Sequence, residues 1–162
     1  MSLKFVDREE LDMWGTYGHK VNDKLTLNGT IVTWMYPNKV MSDHNYFLAG
    51  GSVSYNGPVK LDAGAFHLFA HEGASDGETY FAKASKNVPL LEGRVNLCPE
   101  VILGATRDMF GKSGLRHLSP GISIKVGKGN LTFNAFVRRQ FSLNEDTTDQ
   151  FNYGGISVGY KF

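Results

Sequence analysis

The sequence predicts an all-β chain, an antiparallel up-and-down meander β-barrel, with about 9–10 strands visible and 10–12 in a complete chain. Three observations predict it. In the closing segment Phe151 to Phe162, Ile156, Val158, Tyr160 and Phe162 share one face while Gly155, Ser157, Gly159 and Lys161 share the other, which is the period of a strand. Similar alternation recurs in segments mostly ten or more residues long. Typical soluble strands have about five or six residues, and membrane-spanning ones roughly 9–11. The gaps between segments are short and long by turns, the rhythm of a meander with tight turns on one rim and loops on the other.

Taken in order, strands are expected over 10–21, 24–36, 45–55, 59–71, 79–88, 94–106, 117–126, 131–141 and 151–162. The short gaps are Asn22-Asp23, Asn56-Gly57-Pro58, the stretch around Pro89 to Gly93, and Gly127 to Asn130, where Gly or Asn suits a positive φ. The long polar gaps are Pro37 to His44, Glu72 to Glu78, Arg107 to Arg116 and Ser142 to Gln150. Nine strands is an odd count, whereas bacterial single-chain barrels have an even one. Either Leu3 to Val6 forms part of another strand, or further strands lie upstream.

The alternation sorts side chains onto two faces. One carries Leu11, Met13, Tyr17, Leu25, Leu27, Ile31, Met35, Phe47, Val53, Tyr55, Val59, Leu61, Ala63, Phe69, Val95, Leu97, Val101, Leu103, Leu118, Ile122, Ile124, Val126, Leu131, Phe133, Val137 and Phe141. The other is polar and Gly-rich, with Thr16, Thr26, Asn28, Thr30, Ser52, Ser54, Asn96, Ser119, Ser123, Thr132, Asn134 and Ser157 among charged neighbours. Alternation alone does not say which face is inside. Aromatics gathered near strand ends resemble interfacial girdles and favour an apolar exterior. Pro99 and Pro120, within strands on the apolar face, predict a bulge or interruption.

A chain of 162 residues suits a single domain, 1–162, here of outer-membrane barrel type. Net charge is +1 from 17 basic and 16 acidic residues, interspersed, so no whole-chain field attracts nucleic acid and none is expected as a partner. No apolar run approaches the roughly 20 residues of a spanning helix, so any membrane crossing falls to strands. Met1 to Glu10 has no apolar core or small-residue cleavage site, so a signal peptide is absent from this chain. Either a leader has been removed or the protein stays inside the cell. The single Cys98 forms no intrachain disulfide and leaves the compartment open.

The hairpin from Glu10 to Pro37, with its acidic-apolar strand, short Asp-containing turn and aromatic-Tyr-Pro ending, resembles that of the TorF-type porin family. The stretch Tyr46 to Val59, with its Tyr-Asn-Gly-Pro-Val turn, is similar to the family's following hairpin, and Ile156 to Phe162 to its closing strand. The resemblance implies a Gram-negative outer-membrane barrel with no catalytic residues to carry over. Members of the family carry a signal and upstream strands.

Motifs that suggest other chemistry have simpler readings. His67 and His71, four apart on a strand, stand about 13 Å apart and do not chelate one metal together. The acidic stretches Glu72 to Glu78 and Asn144 to Asp149 lack the ligand spacing of a calcium loop. Gly111-Lys112-Ser113 is no phosphate-binding loop, because Thr106 stands where that motif needs glycine. The sequons at Asn28 and Asn130 lie in or beside strands, where a glycan would disrupt pairing. Asp62 and His67 fall on opposite faces, and His117 and Ser119 share a face without an acid in phase, so no catalytic site, metal or cofactor is expected.

The candidate functional residues are therefore the charges of the polar face: Asp12, Lys20, Lys60, Asp62, Lys83, Glu100, Lys125, Arg138 and Lys161. They pair across a lumen or line a narrow aqueous path. Tyr160 and Phe162 are the candidate insertion signal, read by the barrel-assembly machinery. The expected function is a porin passing small polar solutes through the outer membrane, with membrane lipid as its surroundings. The alternatives are a non-transporting structural or adhesive barrel whose loops bind a partner, and a soluble barrel enclosing an apolar ligand.

Overall fold

The computed structural model describes residues 2–6, 10–35, 46–69, 76–109, 112–144 and 150–160. Eleven strands form one antiparallel sheet: β1 (Ser2–Val6), β2 (Glu10–Lys20), β3 (Leu25–Met35), β4 (Tyr46–Asn56), β5 (Lys60–Phe69), β6 (Gly77–Ser85), β7 (Val88–Leu90), β8 (Val95–Met109), β9 (Lys112–Lys128), β10 (Leu131–Ser142) and β11 (Phe151–Tyr160). Each strand of the main path pairs with its neighbours in sequence from β1 to β11, and the short β7 pairs with β8 beside that path. The sheet is an up-and-down meander that curls into a half-barrel. Among the described residues its edges are β1 and β11.

The strand over Leu3 to Val6 forms as β1, pairing Leu3 with Met13 and Phe5 with Leu11. It makes the main path even in number. In the turn after β2, the Asn22 side chain acts instead of a positive φ: its Oδ1 accepts the backbone N–H groups of Lys24 and Leu25, both at 2.9 Å. Before β8 the chain reverses through a single 3-10 turn, Leu91–Gly93, in which Leu91, Glu92 and Gly93 all have positive φ.

Two expectations need correction. The polar gap 107–116 is not a long loop, because β8 runs to Met109 and β9 resumes at Lys112. The extension is irregular, with register shifts between Gly104 and Ala105 and between Thr106 and Met109. Polar composition misled here because these strand ends, exposed at Arg107, Asp108, Lys112 and Ser113, need no apolar face. Gly77 and Glu78, assigned to another loop, already belong to β6. The expected loop 37–44 lies outside the described residues.

Both strand prolines sit where a ladder breaks on one side. The pairing of β8 passes from β6 to β7 around Pro99, between Glu100 and Leu97, and the Pro99 carbonyl accepts the Lys86 N–H at 3.1 Å. Pro120 stays paired with Val101 of β8, while the β9–β10 register skips from Gly121 to Leu118. A residue without N–H is accommodated where no ladder bond is asked of it.

Candidate functional site

The two faces differ in burial as sharply as in composition. Ile124 is 45% exposed, Phe133 41% and Val158 63%, with Leu27, Val53, Leu61, Val101, Leu118 and Val137 also exposed on the same face. The buried residues of the opposite face include Ser54, Glu100, Thr106, Ser119 and Ser123. A soluble barrel has the reverse arrangement. At the loop end of the apolar face a polar row interrupts it: His67 stands opposite Glu78, which stands opposite Arg107. Asp76 lies 3.8 Å from His67, and Phe47 and Phe69 pack at 5.6 Å beyond that row.

Register collects the charges of the polar face into a band. One row runs Lys20, Thr26, Ser54, Asp62, Lys83, Ile102 and Ser119 across β2, β3, β4, β5, β6, β8 and β9. The row beside it runs Asn56, Lys60, Ser85, Glu100, Gly121, Arg138 and Tyr153 from β4 to β11. Six of the candidate residues, Lys20, Lys60, Asp62, Lys83, Glu100 and Arg138, therefore stand on two adjacent rows. Lys125, opposite Asn96 and Asn134, is exposed on the same face nearer the turns. Asp12 pairs with Trp34 at the loop end of β2, away from the band. Tyr160 stands opposite Leu131 on the edge strand, while Lys161 and Phe162 lie outside the described residues.

Glu100 is the centre of the band. Its carboxylate is 3% exposed, forms an ion pair with Lys83, and takes two Arg138 contacts at 2.5 Å, from Nε and Nη2. Gly121 makes the Arg138 pair possible. It stands between Glu100 and Arg138 in register, and a Cβ there would lie 2.4 Å from Arg138 Cγ, so the arginine stem crosses β9 through the space a side chain would fill. The guanidinium also lies 4.4 Å from the Phe136 ring centroid and 5.8 Å from that of Tyr153. On the neighbouring strands Lys60 pairs with Asp62 at 3.2 Å, Asp62 accepts from Ser54 at 2.5 Å, and Ser54 accepts from Asn28 at 3.1 Å.

Three buried polar atoms of this face, His117 Nδ1, Ser119 Oγ and Asn134 Oδ1, make no hydrogen bond among the described residues. His117 and Ser119 thus do not form a nucleophile–base pair. Unsatisfied buried polar atoms are costly in a dry interior and ordinary on a wetted one.

An apolar cluster was missed by sequence reasoning. Leu48, Leu68 and Met109 are buried together with Val32 and Phe66 packed against them. Val32, Leu48 and Leu68 stand in one register row, in phase with the polar face and toward the loop ends of their strands. Their phase was legible in the sequence, since Leu48 shares a face with Ser52 and Ser54, and Leu68 with Asp62. The polar majority concealed them. The polar face thus has an apolar tier at the loop end and a charged band nearer the turns.

Compared with known proteins, the chain matches no family model and no curated protein.

Proposed function

We propose that the chain forms an outer-membrane β-barrel of the porin kind, passing small polar solutes along the charged face. The observation that carries this reading is the inversion of the sheet, with large apolar side chains exposed on one face and the buried Glu100 carboxylate paired with Lys83 and Arg138 on the other. Only a solvent less polar than the sheet's interior favours that arrangement, and lipid is such a solvent. In lipid an open sheet edge leaves unpaired backbone groups at several kcal/mol each, so the reading requires β1 and β11 to be paired, with one another or with further strands. Ten strands in sequence place β1 and β11 antiparallel, as mutual closure requires. The unpaired polar atoms of His117, Ser119 and Asn134 support a face wetted by water. The likeness of the 10–37 hairpin and closing strand to TorF-type porins points the same way, and β11 is the strand offered to the barrel-assembly machinery.

A second reading rests on the apolar tier. Leu48, Leu68 and Met109 fill the polar face toward the loops, and a barrel closed there is structural or adhesive. Conductance of the refolded chain in a planar bilayer distinguishes the two. The porin reading expects discrete steps from barrels whose insertion is verified by heat-dependent migration in detergent gels, and silence from such barrels selects the non-transporting reading. A monodisperse protein in detergent-free buffer overturns both.

A further inference from the structure

Resting on the porin reading, we infer that the path through this barrel prefers small anions, and that Arg116 together with the cations of the charged band sets that preference. Arg116, which closes the gap 107–116 expected as a loop, is the extra residue of a β-bulge. Gly104 stands opposite His117 and Ala105 opposite Leu115, so Arg116 has no partner position on β8. The slip returns Leu115 to the exposed apolar face, where it is 54% exposed. It sends Arg116 the other way: Nη1 reaches Met109 Sδ at 3.9 Å, and Met109 is part of the buried cluster with Leu48 and Leu68 on the polar face. Bulges commonly re-aim one side chain while the strand continues.

Among the described side chains the charge count on this face is one-sided. Its strand-borne groups with described side chains include the cations Lys20, Lys60, Lys83, Arg116, Lys125 and Arg138 against the carboxylates Asp62 and Glu100. Glu100 is held by two of those cations and Asp62 by a third. Lys20, Lys125 and Arg116 form no ion pair among the described residues. Arg116 also stands apart from the band, beside the apolar tier. A cation in a narrow, low-dielectric passage focuses its field on the ions that pass, and rings of Arg and Lys are the usual filters for anions. The band supplies background potential, and Arg116 supplies a charge beside the apolar tier, outside the band.

The test is the reversal potential of the refolded full-length chain across a planar bilayer with a KCl gradient, at mean salt near 0.1 M and again near 1 M. The wild-type chain is expected to pass chloride at least about twofold more readily than potassium at low salt. The preference should shrink at high salt, where the Debye length falls from about 10 Å to about 3 Å. Arg116→Gln is expected to lower the permeability ratio about twofold and Arg116→Glu to reverse it. Should neither variant insert, exposed Lys125→Glu is expected to lower the ratio by a smaller factor. Currents that favour potassium, or a chloride preference indifferent to both positions, overturn the inference and leave the porin reading standing. Verified insertion without current overturns the porin reading and this inference with it.

Discussion

The apolar and polar faces of the same strands solve opposite problems, and β9 shows both. Ile122 and Ile124 are exposed, satisfied by any apolar surroundings and indifferent to their neighbours' geometry. Ser119, Gly121 and Ser123, interleaved with them, depend on particular neighbours: Gly121 must stay small for Arg138 to cross, and Ser119 is fully buried. One face is specified by composition alone and the other by register, because the Glu100 pairs span β6, β8 and β10 and form in one alignment only. A slip of one residue would exchange the faces, placing carboxylates among the exposed apolar side chains. The charged band thus also serves as a registration device.

The largest expected effect tests that claim on the polar side. Glu100→Ala leaves Lys83 and Arg138 facing each other without their carboxylate, and loss of one member of a buried ion pair costs about 3–5 kcal/mol. Both cations retain some solvent access, with side chains 25% and 18% exposed, which places the expected loss toward the lower figure. Urea unfolding of the protein refolded into phospholipid vesicles measures it. Lys125→Ala, on the same face but exposed, is expected to stay within about 0.5 kcal/mol of wild type. Equal losses at the two positions would mean that the polar face is not organised around Glu100.

The next effect belongs to the apolar face. Ile122 stands near the middle of β9, opposite Pro99 on one side and Val137 on the other. Arginine on the lipid face of a barrel at mid-membrane costs about 2–4 kcal/mol, falling toward zero near the interfaces. Ile122→Arg is therefore expected to lower stability in vesicles by that amount, while Arg107→Ala, in the polar row at the loop end, changes it little. If Ile122→Arg proves neutral in vesicles, the exposed face does not contact lipid and the comparison of faces collapses.

How much of this was legible follows from what each face requires. Period-two alternation in 151–162 and its counterparts was enough to assign the meander and the phase of nearly every strand, because phase survives small errors in strand ends. The extension of β8 and β9 was not legible: Arg107, Asp108, Lys112 and Arg116 read as loop by polarity, and nothing in composition marks a bulge. Arg116 was lost with it, since a bulge breaks the parity that sorts side chains. The Glu100 pairings were out of reach for a different reason. Their partners lie 17 and 38 residues away, and only the register of the strands between them decides that they meet.

The smallest effect isolates that register-dependent geometry from charge. Gly121→Ala adds one methyl group 2.4 Å from Arg138 Cγ and 2.8 Å from the Val137 carbonyl oxygen, and neither is the free end of a flexible chain. Overpacking of this kind costs about 1–3 kcal/mol. The same substitution at Gly127, on the same face of β9 with nothing within 4 Å of the added carbon, is expected to be neutral within about 0.5 kcal/mol. The two glycines differ in what lies across them and not in strand, face or charge. If the methyl group acts by displacing the guanidinium from Glu100, its cost must shrink once Arg138 is shortened. A double-mutant cycle of Gly121→Ala with Arg138→Ala should then show coupling of about 1 kcal/mol, against additivity for Gly127→Ala with the same partner. Additive losses at Gly121 would place the strain on the Val137 carbonyl and remove the glycine from any part in seating the ion pair.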